Sequence, residues 1–247
     1  TYQRIWKNEY TIHSYEADMS GRATVPALLQ FMQESAWNHA EHLQLGYSHL
    51  IEKNLAWVMA RLSLLIQSLP QWGERFFLET WPSHRDKLFA YRDFRLTSTN
   101  GSAVAMGTTT WLVIDMKTRR PKRTDSYFHI EDWGIPSAVP EYTPKLAPPE
   151  RVDSTTSRRV YFSHLDVNGH VNNVKYLEYF MDSFPNDFLQ THQLNRVDVN
   201  FLAEALVNNQ VLINTQQIDN TTFLQNLVRK QEDVELCRAK TMWQPLP

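Results

Sequence analysis

Apolar residues recur at helical spacing through Val25, Leu28, Leu29, Met32, Ala36, Ala40 and Leu43. Thr24-Val25-Pro26 places a capping side chain ahead of this run and a proline in its first turn, so the pattern predicts one long helix ending near Gly46. Beyond it the pattern changes to runs rich in β-branched and aromatic residues, Trp57–Leu69, Arg75–Pro82, Phe89–Thr99 and Ala103–Ile114, which predict strands. Asn100-Gly101 lies between the last two as a hairpin signal.

The second half repeats this order on a smaller scale. Val160–Ser163 predicts a strand, and Val174, Leu177, Met181 and Phe184 mark one face of a helix with Pro185 at its end. Strands follow at Val197–Ala203, Gln210–Gln217, Thr222–Arg229 and Val234–Trp243. Between the halves, Pro121 to Val152 is rich in proline and acidic residues, which predicts a linker packed over the surface. The division is residues 1–120, a linker at 121–153, and residues 154–247. Each half is then strand, helix and several antiparallel strands, an α+β architecture in which one helix covers the apolar face of each sheet.

A second signal supports duplication. Asp18-Met19-Ser20-Gly21-Arg22 and Asp166-Val167-Asn168-Gly169-His170 align without a gap, Asp on Asp and Gly on Gly, and each opens into an apolar helical pattern. Ser20 stands where Asn168 is, and Arg22 where His170 is. The first copy thus lacks the amide and imidazole that would suit it to a reaction.

Composition narrows the function classes. A chain of 247 residues can bury a substantial core, and its net charge of −2 gives no reason to expect nucleic acid. Cys237 is the single cysteine, so neither an intrachain disulfide nor a cysteine-built metal site is available, and a reducing cytoplasm fits best. Thr1 to Tyr10 has no uninterrupted apolar block, which argues against a retained signal peptide. The most apolar stretch, Leu55 to Leu69, is interrupted by Arg61, Ser63 and Gln67, so no membrane insertion is expected. His39 and His42 flank Glu41 without metalloprotease spacing, and neither a phosphate-cradling glycine loop nor a serine nucleophile elbow occurs, so no metal or cofactor is expected.

The candidate chemistry lies in the second copy. Asp166, Asn168 and His170 alternate along a glycine-containing turn that leads into a helix, where unsatisfied N–H groups and the helix dipole favour negative charge. Acyl transfer needs donors aimed at a developing oxyanion, and such a turn can supply them. Read alone, Asp-x-Asn-Gly also suits a plain capping turn, with Asn172 or Asn173 as the cap.

The wider segment, Asp166-Val167-Asn168-Gly169-His170-Val171-Asn172-Asn173-Val174-Lys175-Tyr176, resembles the signature of the acyl-ACP thioesterases. Ser14-Tyr15-Glu16, Leu29-Gln30, Glu34-Ser35-Ala36-Trp37-Asn38-His39, Trp111-Leu112-Val113-Ile114-Asp115 and Thr118-Arg119-Arg120-Pro121 are similar to the same family, so the resemblance covers nearly the whole chain. It implies a double hotdog fold, two tandem repeats each an antiparallel sheet wrapped around a long central helix. It also implies hydrolysis of fatty acyl-acyl carrier protein in the second repeat, with the acyl chain held largely by the first. By the same resemblance a glutamate completes the Asp-x-Asn-x-His set, and Glu204 in Phe201-Leu202-Ala203-Glu204-Ala205 has the matching spacing. Plant members often carry cysteine after that glutamate; here Ala205 excludes a thiol mechanism at this position, and Cys237 reads as a buried small hydrophobe.

On this basis Glu204 takes a proton from water, Asn168 and the helix start stabilise the oxyanion, His170 orients water or protonates the leaving thiolate, and Asp166 fixes the imidazole. Strict alternation along the strand sets Glu204 on the face of Asp198 and Asn200, a solvated face, so Glu204 needs a strand end or bulge to turn inward. Two alternatives stay open. One is a hotdog acyl-CoA thioesterase with Asp166 as base or nucleophile, and the other a non-catalytic acyl-ACP-binding module.

Leu28, Leu29, Met32 and Trp57 are the candidate acyl-chain contacts. Arg119 and Arg120, in a basic run with Lys117, Lys122 and Arg123, are the candidate dock for an acidic carrier protein, with Arg158-Arg159 and Arg229-Lys230 as weaker ones. A monomer and a homodimer are equally compatible with the sequence.

Overall fold

Val25–His42 forms helix α1, and the Thr24 side chain caps it by accepting the N–H of Ala27 at 3.2 Å. The computed structural model describes residues 2–124, 133–139 and 143–246. They fall into two compact units, Thr1–Thr143 and Pro144–Pro247.

In the first unit, α1 ends before Gly46: the N–H of Leu43 returns to His39 O at 3.0 Å and Gln44 takes φ +59°. Gly46 instead precedes a short helix α2, Tyr47–Ile51, whose five residues are too few to display a period. The strands are β1 (Trp6–Thr11), β2 (Leu55–Ile66), β3 (Arg75–Arg85), β4 (Phe89–Ser98), β5 (Ala103–Asp115) and β6 (Pro121–Lys122). They pair antiparallel in the order β1-β3-β4-β5-β2, with β6 against β5. Gly101, at φ +87°, turns the β4–β5 hairpin. Glycine at 107 lets α1 approach, because a Cβ there would lie 2.9 Å from Met32 Cε. Leu64 and Phe94, paired with Gly107, are buried on the same face.

The second unit has strands β7 (Ser154–Arg159), β8 (His192–Phe201), β9 (Gln210–Gln217), β10 (Thr222–Arg229) and β11 (Val234–Pro245), and helices α3 (Asn173–Met181) and α4 (Asn186–Thr191). Its order, β7-β9-β10-β11-β8, is that of the first unit with β7 in place of β1.

Three expectations need correction. The strand at Val160–Ser163 is displaced to Ser154–Arg159, a polar strand bonded at the sheet edge to β9, while Phe162–His164 forms a 3-10 turn. A long helix is absent from the second unit, where α3 has 9 residues against 18 in α1. Phe184 lies beyond its end and packs instead against Phe188, Phe223 and Trp243. Finally, the face of β8 that carries Asp198 and Asn200 is buried, not solvated. Asn200 donates to Pro144 O at 2.9 Å and accepts from the N–H of Leu146 at 2.7 Å, so the linker segment covers this face.

Parts of the expected linker are therefore bound to the sheets. Ser137 Oγ and the N–H of Ala138 both donate to Asp93 Oδ1 at 2.9 Å. Residues 125–132 and 140–142 of that stretch, Pro140 included, lie outside the described residues.

Candidate active site

The two turns seen in the sequence have one backbone design. In the first, Asp18 N–H donates to Arg22 O at 2.7 Å and Gly21 N–H to Asp18 O at 2.9 Å; in the second, Asp166 N–H donates to His170 O at 2.8 Å and Gly169 N–H to Asp166 O at 3.0 Å. The glycines hold φ +80° and +77°, where a Cβ is disfavoured. Each aspartate accepts, at 2.8 Å, the N–H two residues on, Ser20 for Asp18 and Asn168 for Asp166. A 3-10 turn precedes each, Ser14–Glu16 and Phe162–His164, and a cap residue follows each, Thr24 and Asn172.

The side chains diverge. Arg22 folds back on its own turn, donating from Nε to Ser20 Oγ at 2.8 Å. His170 reaches across to Glu204, Nε2 to Oε2 3.2 Å, an ion pair whenever the imidazole is protonated. Glu204 meets it because β8 has ended at Phe201 and the chain turns: Leu202 and Ala203 N–H groups both donate to Leu236 O, and Val171 N–H donates to Ala205 O at 3.1 Å. That last bond joins the residue after His170 to the residue after Glu204, so the two side chains emerge side by side. They are 30% and 36% exposed, open to water and to a substrate.

Asp166 and Asn168 lie four and two residues before His170 on the same turn. Asp166 is half-buried and shapes the turn, while Asn168 is exposed at its crest. Helix α3 starts at Asn173, so the turn leads into it through buried Val171 and the cap Asn172. Asn172 Oδ1 takes the N–H of Val174 at 2.9 Å and its carbonyl that of Lys175 at 2.9 Å, so two first-turn donors are already engaged.

Two residues that sequence reasoning did not place here, Tyr176 and Arg229, bond to the backbone at Glu204 and Ala205. Tyr176 is buried, and its Oη accepts the N–H of Ala205 at 2.9 Å. Burial pushes its phenol well above the usual tyrosine range, so it stays protonated. Arg229 donates from Nη2 to Glu204 O at 2.6 Å and from Nη1 to Glu232 at 2.5 Å. It is thus committed to the fold and is not a docking cation. His164 Nδ1 lies 2.5 Å from Tyr179 Oη; burial lowers the imidazole pKa and raises the phenol to about 12, which keeps both neutral near pH 7. A polar atom on the buried face of a helix needs a partner, and this was the signal available for Tyr176 and Tyr179.

The other candidates are spread over the first unit. Leu28, Leu29 and Met32 are buried on α1. Trp57 packs with Leu45 against Leu50, Leu55 and Val113 and donates from Nε1 to Leu45 O at 2.8 Å. Arg119 and Arg120 are exposed on the β5–β6 turn, where Arg119 takes φ +58° and Asp115 Oδ1 accepts the N–H groups of Lys117 and Thr118. Of the weaker docking candidates, Arg158 donates to Asp182 O at 3.2 Å and Arg159 to Asn208 Oδ1 at 2.9 Å.

His39 is fully buried on α1. Its Nε2–H donates to Gln3 O at 2.8 Å and its Nδ1 accepts from Arg92 Nη1 at 3.0 Å, which fixes a neutral tautomer. Among the described residues no group of three or more His, Cys, Asp or Glu side chains could hold a metal ion, and no helix is long and apolar enough to cross a membrane.

A strand, a helix and four further antiparallel strands, present twice, define a protein of the hotdog class, and two solved structures share the whole arrangement. The 12:0-ACP thioesterase of Umbellularia californica superposes with a TM-score of 0.87 at 21% identity over 100% of this chain and 99% of its own. An acyl-ACP thioesterase of Bacteroides thetaiotaomicron gives 0.86 at 22% over 98% of each. The chain belongs to the acyl-ACP thioesterase family: residues 3–129 match its N-terminal domain and residues 148–245 its C-terminal domain. The chloroplastic palmitoyl-acyl carrier protein thioesterase of Gossypium hirsutum is 27% identical over 98% of this chain. The chain spans 64% of that relative's length and 62% of its Cuphea hookeriana counterpart.

Proposed function

We propose that this protein hydrolyses the thioester of fatty acyl-acyl carrier protein, releasing free fatty acid and the carrier, at a site in the second unit. Membership of the family supports the activity. The observation that carries the site is the 3.2 Å approach of His170 Nε2 to Glu204 Oε2, beside a turn whose first-unit copy has arginine in the histidine's place.

Glu204 accepts a proton from water, and the resulting hydroxide attacks the thioester carbonyl. The side-chain amide of Asn168 donates to the oxyanion; a donor in that role is typically worth about 2.7–4 kcal/mol. His170 orients the water and relays the proton taken up by Glu204, 3.2 Å away, to the thiolate as the C–S bond breaks. Asp166 holds the turn. Its bond to the N–H two residues on is duplicated by Asp18 in a turn that lacks the imidazole, which supports a structural task over that of base or nucleophile.

The first unit holds the acyl chain, with Leu28, Leu29, Met32 and Trp57 behind or along its path, on a fold of two tandem hotdog repeats. Arg119 and Arg120 attract the acidic carrier protein, an effect that ionic strength weakens. Cys237, a free and buried thiol, suits a reducing compartment, and the cytoplasm is our assignment.

Turnover of matched acyl-ACP and acyl-CoA panels tests the reading. Fatty acid release with preference for acyl-ACP is expected. Preference for acyl-CoA, or acyl-ACP binding without release, overturns it.

A further inference from the structure

The peptide that joins Glu204 to Ala205 lies outside any strand, yet it is held at two points and the peptide after it at a third. Glu204 O accepts from Arg229 Nη2 at 2.6 Å, Ala205 N–H donates to Tyr176 Oη at 2.9 Å, and Ala205 O accepts from Val171 N–H at 3.1 Å. Tyr176 comes from α3 and is itself fixed, 3% exposed with its ring edge-on to Phe201 at 5.7 Å. Arg229 comes from the end of β10 and is fixed by Glu232. Because the peptide is planar, gripping its carbonyl on one side and its N–H on the other fixes the Cα–C bond of Glu204, and so restricts the side chain to a cone of directions about that bond.

The first unit supplies an internal control. Aligning the two turns puts Leu28 in the place of Tyr176, and the bond from Ala23 N–H to Pro70 O corresponds to that from Val171 N–H to Ala205 O. Pro70 has no N–H to donate and Leu28 no hydroxyl to receive one. Leu69, before Pro70, carries no carboxylate to aim. The tyrosine hydroxyl and the N–H it accepts are therefore present in the copy that has a glutamate and missing from the copy that does not.

We infer that Tyr176 and Arg229 are positioning residues which clamp the Glu204 peptide and so aim its carboxylate at His170. The inference rests on the catalytic reading of Glu204 given above. It assigns the clamp no contact with the substrate.

The test is a double-mutant cycle on the full chain with acyl-ACP as substrate: Tyr176→Phe, Glu204→Gln and both together, with thermal melting of each. Tyr176→Phe is expected to lower kcat by about 10- to 100-fold, the scale of a misplaced catalytic group, with little change in KM. In the Glu204→Gln background it should cost nothing further, because no carboxylate remains to be aimed. Arg229→Lys, which keeps a donor, should recover part of the activity lost in Arg229→Met and covers the case in which Tyr176→Phe fails to fold. A Tyr176→Phe enzyme with full kcat, or losses that multiply in the double variant, overturns the clamp while leaving the catalytic reading intact. Full activity of Glu204→Gln alone overturns that reading and the clamp with it.

Discussion

Leu69 occupies in the first unit the position that Glu204 occupies in the second. Each is the third residue after the strand that follows the unit's first helix, β2 ending at Ile66 and β8 at Phe201. Each is followed by a carbonyl, Pro70 O or Ala205 O, that accepts the N–H of the residue after Arg22 or His170. The backbone of the site is thus kept in both copies, and only the side chains that could act on a thioester, His170 and Glu204, are confined to one.

This shared backbone separates stability from activity. Gly21→Ala and Gly169→Ala each force an alanine into a left-handed conformation, at a cost of about 1–2 kcal/mol. Around Gly169 there is open space, so its penalty is one of backbone alone. Denaturant unfolding should report a similar loss for both variants. Only Gly169→Ala should lower kcat, because only that turn carries His170; equal kcat losses in the two would contradict the division of labour.

His39 makes the first unit acid-sensitive. Burial, aided by the neighbouring Arg92 charge, lowers its pKa from 6.5 to about 4. Between those values the unfolded chain binds a proton at this residue that the native state does not, so the His39 contribution to stability is constant above pH 6.5 and falls as the pH drops toward 4. A shift of this size corresponds to about 3 kcal/mol. Glutamine can donate to Gln3 O and accept from Arg92 without titrating, so His39→Gln should show a shallower decline of melting temperature across that window. Identical pH profiles would exclude His39 as the source.

Carrier docking at the β5–β6 turn has a salt signature. Arg120→Glu is the cleaner probe, since Arg119 has φ +58° and its replacement would also alter the turn. At low ionic strength the variant should raise KM for acyl-ACP several-fold with kcat unchanged, and the difference should vanish near 1 M salt, where the Debye length is about 3 Å. An unchanged KM at low salt rules out the dock.

Much of the fold was legible because the pattern that encodes it is local. Gln210–Gln217 and Thr222–Arg229 begin and end where β-branched and apolar alternation does, and α1 begins at its capping threonine. What was missed had no apolar period to display. Strand β7, Ser-Thr-Thr-Ser-Arg-Arg, is polar because it is an edge strand, and the buried Asp198–Asn200 face of β8 is covered by linker backbone that no alternation rule anticipates.

The site was half legible. The turn from Asp166 to His170 stood out because a second copy lies in the same chain, but Glu204 came only from family resemblance, since strand alternation gave no reason for it to face His170. The contact depends on a strand end and one backbone bond between distant segments. For the same reason the Tyr176 hydroxyl was not legible as a partner of Ala205, whose N–H leaves no mark in a side-chain motif.

The most direct measurement is the steady-state rate of fatty acid release from acyl-ACP by Glu204→Gln beside the unaltered protein. If Glu204 activates the attacking water, kcat falls by about 10²- to 10⁴-fold while KM and melting temperature stay close to those of the parent. A Glu204→Gln protein that releases fatty acid at the parent rate would contradict the account.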